Sequence, residues 1–555
     1  MAAKQQEATT GWVLPPKPIG GLDHLGVQAP CIALYAQLLP GITNVTDRAR
    51  YYSFHPWLLR HFDRRYGEKR QSSDELSRVL RRAECLFALI AIRHGRKAED
   101  QDPGRHDAAV VGRQELQKAE QEISNADLNL GDFAGLDGPD TPRRYFKNRL
   151  GGLGQYYFGP LRDLRVLGTI GEGRAAIPGY DKVLGAALAD ALDGGVDADQ
   201  FFTVLEAPAV RSSDLDDLAA FCPCRLADNG PEREALRDLF LGRSPRCLVD
   251  GGERRRATLG LLLALIDRGA ARHPELAFEN VFRIACYTDV LPGGGQIGLP
   301  AAVADAARGW ATYQRNELLS VALQGLFAAV LEAIVTQHDG YIASSAEAGP
   351  VARSLCAALG AGLLDESLSA VTDRLGAELP ALGEWEHEEH EIQLGWRCQA
   401  AFAAHQPDEL AVASVKLLLA LATRGLPAYP YADFTLDPDY FAPQELHLLS
   451  FKHHLQASWG GMTVGAWVSW LGVHWGVERH LRVALRKLRT QRQDTFRVRP
   501  LEHALQVVDV PEPVFTVPRI GRAVQILRDL ALIDAVADGY DLTAAGHAAL
   551  EAIRG

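Results

Sequence analysis

The chain is 555 residues long, 47% hydrophobic and 23% charged, which excludes a disordered or low-complexity protein and gives room for about two to four domains. A formal net charge of −12 excludes a generally basic coat, so any nucleic-acid contact has to come from local arginine clusters. Only ten of the 58 basic residues are Lys, so the available cations are mostly planar guanidinium groups, the shape suited to phosphate.

Residues 1–18 read as a polar, Pro-containing arm without the basic-then-apolar order of a signal peptide. The eight Cys are scattered (31, 85, 222, 224, 247, 286, 356 and 398), which fits a reduced cytoplasm. Pro40-Gly41 marks a turn, Thr46 or Asp47 a helix N-cap, and Arg48, Arg50, Tyr51, Tyr52 and Trp57 interleave guanidinium with aromatic rings. That run reads first as a buried helix whose arginines pair with acids, and second as a nucleic-acid surface.

The same residues carry a resemblance. Pro40-Gly41, then Thr, then Arg48-Ala49-Arg50-Tyr51-Tyr52 and Pro56-Trp57 resemble the opening motif of uncharacterised bacterial families, known by domain-of-unknown-function labels, that recur near phage-defence genes. The resemblance spans some forty residues at most. It implies a genomic context of defence and transfers no catalytic residue.

Residues 72–92 form a helix, with Ser72 and Glu75 as a capping box and Leu76, Val79, Leu80, Ala83, Phe87, Ile90 and Ala91 as its buried stripe. Residues 95–113 are a charged loop or hinge. A basic-aromatic cluster with Arg143 and Arg144 follows, then Gly151-Gly152 and a stretch that is echoed near the chain's end. Leu161-Arg162-Asp163-Leu164 matches Leu527-Arg528-Asp529-Leu530, and both matches continue through a Gly-containing turn into an apolar helix. The later copy reads as helix, two short strands around Asp538-Gly539, and a helix capped by Thr543, which is the winged-helix order. Two copies of one small module are therefore expected.

From about 200 to 442 the pattern is helical throughout and reads as scaffold, with 316–335 almost wholly apolar and central. Within it, 384–391 is the densest run of possible metal ligands. A helix there puts His387, His390 and Glu391 on one face, a weak metal candidate beside the simpler reading of an acidic solvated helix. Cys222-Pro223-Cys224 lacks a second Cys pair at zinc-ribbon spacing and reads as structural or redox-silent. The pairs His106-Asp107 and His338-Asp339 show no partners. Residues 455–477 carry no charge and are long enough to span a bilayer, but five Gly and mid-depth Trp467 and Trp470 favour a buried helix pair.

Residues 478–499 hold a local excess of arginine. At helical spacing Arg479, Arg482, Arg486 and Arg489 share one face, leaving Leu481, Leu485 and Leu488 to pack inward. With Arg519, Arg522 and Arg528 on the first helix of the late module, this row is a candidate double-stranded-DNA backbone contact.

No GxxxxGK[ST], GxSxG or HExxH motif is present, and Pro292 breaks the strand that 293–298 would need as a dinucleotide loop. The expected fold is mainly α, a multi-domain helical body with two small winged-helix-like (α+β) modules, in segments 1–130, 131–199, 200–445 and 446–555. The expected function is that of a non-catalytic DNA-binding or scaffolding subunit of a bacterial antiviral system, cytoplasmic, without cofactor or membrane span, working with partner ATPase or nuclease subunits. The alternative is a metal-dependent nuclease or other hydrolytic effector.

Overall fold

The computed structural model describes residues 23–67, 73–100, 102–123, 127–135, 145–146, 148–171, 176–248, 251–424 and 446–554. Helix accounts for 65% and strand for 6%, so the protein is mainly α, with small sheets. It divides into two compact units that interleave along the chain. The smaller is Met1–Ala33 with Thr312–Thr516, and the larger is Leu34–Ala311 with Val517–Gly555.

The larger unit is built on the helices Tyr51–Tyr66 and Ser73–Lys97. The stripe Leu76, Val79, Leu80, Ala83, Phe87, Ile90 and Ala91 is buried as the periodicity requires, and Ser72 lies outside the described residues. Tyr51, Phe54, Trp57, Phe87, Phe201 and Phe221 pack ring against ring. The first helix begins at Tyr51 without a side-chain cap. Asp47 does not cap it, because its carboxylate accepts from Arg522 at 2.7 Å.

The echo is a repeated structure. Phe158–Asp163, Leu167–Ile170, Ile177–Tyr180 and Leu184–Asp193 are helix, hairpin and helix, as are Ile520–Asp529, Ile533–Val536, Gly539–Leu542 and Ala544–Arg554. Arg165 and Ala531 both turn left-handed, at φ 55° and 52°, so that Val166 N–H donates to Leu161 O and Leu532 N–H to Leu527 O. Asp181 and Thr543 then each accept from the first turn of the following helix. Gly185 and Gly546 sit where a Cβ would collide with the carbonyls of Val166 and Leu532. Gly546→Ala is therefore expected to cost about 1–3 kcal/mol, read as a lower denaturant midpoint. An unchanged midpoint would mean that the second helix shifts freely.

In the smaller unit, Glu391–Ala403 and Pro407–Thr423 pair as a helical hairpin, and Tyr341–Ile342, Leu505–Val507 and Val498–Pro500 form an antiparallel sheet in that spatial order. The uncharged run 455–477 is interrupted by a turn at 460–463, between Leu455–Trp459 and Val464–Trp470, which continues as Leu471–Val477. Trp459, Trp467 and Trp475 are buried in it. Ala301–Gln337 alone among the described helices is long and apolar enough to cross a membrane, and 83% of its most apolar window is buried inside the protein.

Candidate metal centre

Two arginines of the Arg48-Ala49-Arg50 run organise the larger unit, and they reach in different directions. Arg48, fully buried, pairs with Asp529 at 2.9 Å. It also donates to the carbonyls of Arg105, His106 and Ala108 at 3.0, 3.4 and 3.1 Å, which fixes the turn-rich stretch 102–110. Arg50 pairs with buried Glu232 at 2.9 Å and donates to the carbonyls of Ala220 and Cys222 at 2.7 and 2.5 Å. Ser53 Oγ and Asn229 Nδ2 donate to the same carboxylate. The run is thus the buried, acid-paired one of the two readings, and its second hydrogen bonds hold backbone that carries other chemistry.

That chemistry is a cluster of four side chains. His94 stands in the last turn of Ser73–Lys97, His106 in the stretch held by Arg48, and Cys222 and Cys224 flank Pro223, where one 3₁₀ turn gives way to the next (Pro223–Ala227). One donor atom from each lies within 4.8 Å of all the others. The two Nδ1 atoms are 3.2 Å apart, Cys222 Sγ is 3.5 Å from His106 Nδ1, and Cys224 Sγ is 3.4 Å from His94 Nδ1. Cys222 and His106 are buried, and Cys224 and His94 are half-buried. His106 Nε2 donates to Asp100 Oδ1 at 2.8 Å, which leaves the Nδ1 lone pair facing the cluster. The Cys224 thiol is held well below its ordinary value, first by the hydrogen bond from Cys222 and then by His94, while burial pushes Cys222 up.

No family model, curated protein or solved structure matches this chain. The chemistry of the cluster is set by its own atoms: two soft sulfurs and two imidazole nitrogens converging on one point, a donor set for a borderline-soft divalent ion.

The residues expected from sequence to act are placed elsewhere. His387, His390 and Glu391 do not form one helical face, because 384–390 is a run of turns and bends and the helix starts at Glu391. The His390 ring accepts from Ile392 N–H and donates to Leu382 O, so both nitrogens are committed. Glu391 is ion-paired with Arg424, and His387 is exposed.

Arg519 donates to Ile42 O, Arg522 to Asn44 O and Asp47, and Arg528 pairs with Asp102. The first helix of the late module therefore directs its cations into its own unit. Arg143 and Arg144 lie outside the described residues. On Glu478–Gln491, Arg479 turns inward to Leu25 O at 2.7 Å, whereas Arg482, Arg486, Arg489 and the following Arg492 are exposed. Leu485 and Leu488, expected to pack inward, are 51% and 43% exposed. The buried line is His480, Val483 and Ala484, because the hydrogen bonds of His480 fix which face turns in.

Proposed function

We propose that the chain is a non-catalytic scaffolding subunit that holds nucleic acid along the helix Glu478–Gln491, and that it serves a bacterial antiviral system of the kind suggested by the resemblance of its Arg48–Tyr52 run. One observation carries the reading. In a chain of net charge −12, Arg482, Arg486, Arg489 and Arg492 stand exposed on one arc, and the last three have no acidic partner among the described residues. Only Arg482 leans on an acid, Glu478, at 3.9 Å. Guanidiniums about one helical turn apart can follow successive phosphates without reading bases. The helix–hairpin–helix modules are winged-helix-like in order, and we read them as packing modules, since the arginines of the second are engaged internally and its hairpin bears Asp534, Asp538 and Asp541.

The test is fluorescence anisotropy on a duplex at low salt with the triple variant Arg482→Ala, Arg486→Ala, Arg489→Ala. Affinity is expected to fall on any sequence, and the slope of log K against log salt to flatten by about two to three contacts. An unchanged slope, or no binding by the wild type, would sink the proposal. Exposed Leu485 and Leu488 favour a second reading, in which the same arc docks an acidic helix of a partner subunit. In that case Leu485→Ser with Leu488→Ser abolishes partner capture and leaves DNA affinity intact.

A further inference from the structure

We propose that His94, His106, Cys222 and Cys224 together bind one Zn2+, and that this ion is a structural lock in the larger unit. A tetrahedron built from Zn–N bonds of about 2.0–2.1 Å and Zn–S bonds of about 2.3 Å has N–N edges of about 3.3 Å and N–S edges of about 3.5 Å. The observed edges are 3.2 Å between the nitrogens, and 3.5 and 3.4 Å between nitrogen and sulfur. Each His neighbours a different Cys and the two His neighbour each other, so the four atoms surround one centre. A two-metal cluster would instead draw the ligands apart onto separate ions.

The surroundings are those of a ligand set held in place. Asp100 takes the far N–H of His106, the carboxylate–imidazole relay that fixes a metal-facing lone pair. Arg48 and Arg50 clamp the main-chain carbonyls of His106 and Cys222 themselves. Arg225 pairs with Asp228 at 2.9 Å and places its other guanidinium nitrogen 3.4 Å from His94 Nε2, a long contact that gives way when ligation of Nδ1 puts the proton on Nε2. On binding, each thiol gives its proton to solvent. Two thiolates, two neutral imidazoles and Zn2+ sum to zero charge, which suits a buried position. Four protein ligands leave no open position for water or substrate, so the site ties segments together and does no hydrolysis. It joins the end of one helix to a loop and to a pair of 3₁₀ turns lying 116 positions further along the chain.

The full-length chain, purified without chelator, is expected to hold about one zinc by elemental analysis. After exchange, Co2+ should show the intense visible bands of a tetrahedral site with thiolate charge transfer in the near ultraviolet. Cys224→Ser and His94→Gln, both at half-buried positions, should each lose the metal. A chelator should lower the thermal midpoint, and Zn2+ but not Mg2+ should restore it. Should a ligand variant fail to fold, the wild-type zinc content and cobalt spectrum decide the matter. Wild-type zinc below about a tenth of an equivalent with no tetrahedral cobalt spectrum would overturn the proposal, as would iron in place of zinc or full zinc retention by Cys224→Ser.

Discussion

Glu232→Ala is expected to lower the unfolding free energy by about 3–5 kcal/mol, because it strands a guanidinium with no carboxylate. Arg50 is 1% exposed, and Glu232 supplies the acceptors for its Nε and Nη2. Ser53 and Asn229 lose their acceptor in the same step. Equilibrium denaturation measures the loss. A double-mutant cycle with Arg50→Met separates the pair from its surroundings, and the double variant should fall short of the summed single losses. It stays below wild type, because the carbonyls of Ala220 and Cys222 are then orphaned. A cost for Glu232→Ala under about 1 kcal/mol would mean that water reaches Arg50.

Acid should weaken the smaller unit through His480. Its Nε2 accepts from the N–H groups of Arg497 and Val498 at 2.8 and 3.2 Å, and its Nδ1–H donates to His24 O at 3.2 Å, so only the neutral ring satisfies all three bonds. Burial, ahead of repulsion by Arg497, lowers its pKa to about 4. The unfolded chain takes the proton below the ordinary value of 6.5, whereas the folded chain refuses it until about 4. The stabilisation is therefore complete above pH 6.5 and is lost as pH falls toward 4, by about 3 kcal/mol in all. Burial lowers His24 as well, which adds loss in the same direction. The check is unfolding free energy against pH for wild type and His480→Gln. The variant starts lower and should lose less on acidification, and parallel curves would show that His480 does not carry the effect.

What could be read from the sequence depended on whether the deciding contact was local. The repeated module was legible because its signals sit within a few positions of one another: the Leu-Arg-Asp-Leu helix end, the turn glycine and the cap at Thr543. The fate of Arg519, Arg522 and Arg528 was not, because their acceptors are Ile42 O, Asn44 O, Asp47 and Asp102, more than 400 positions away. Helical spacing placed His387 with His390, but the His390 ring is spent on its own backbone at the helix start. The metal cluster escaped because its halves are each unremarkable. His94 and His106 are 12 positions apart, and each meets a Cys more than a hundred positions on. Cys222-Pro223-Cys224 has no second Cys pair as its complement, because its neighbours are a His pair upstream.

The interleaving of the two units bears on the order in which this protein is made. Arg48 leaves the ribosome 481 positions ahead of Asp529, the carboxylate that neutralises it in the finished interior. At roughly 5–20 residues per second that wait is on the order of 20–100 s. Through it the charge must stay hydrated, so the pocket that encloses it cannot close around Arg48 during synthesis. The larger unit therefore completes its folding only after the helix bearing Asp529 has been released. A ribosome stalled anywhere before that helix leaves a chain with an open, arginine-bearing cleft for chaperones and proteases to find.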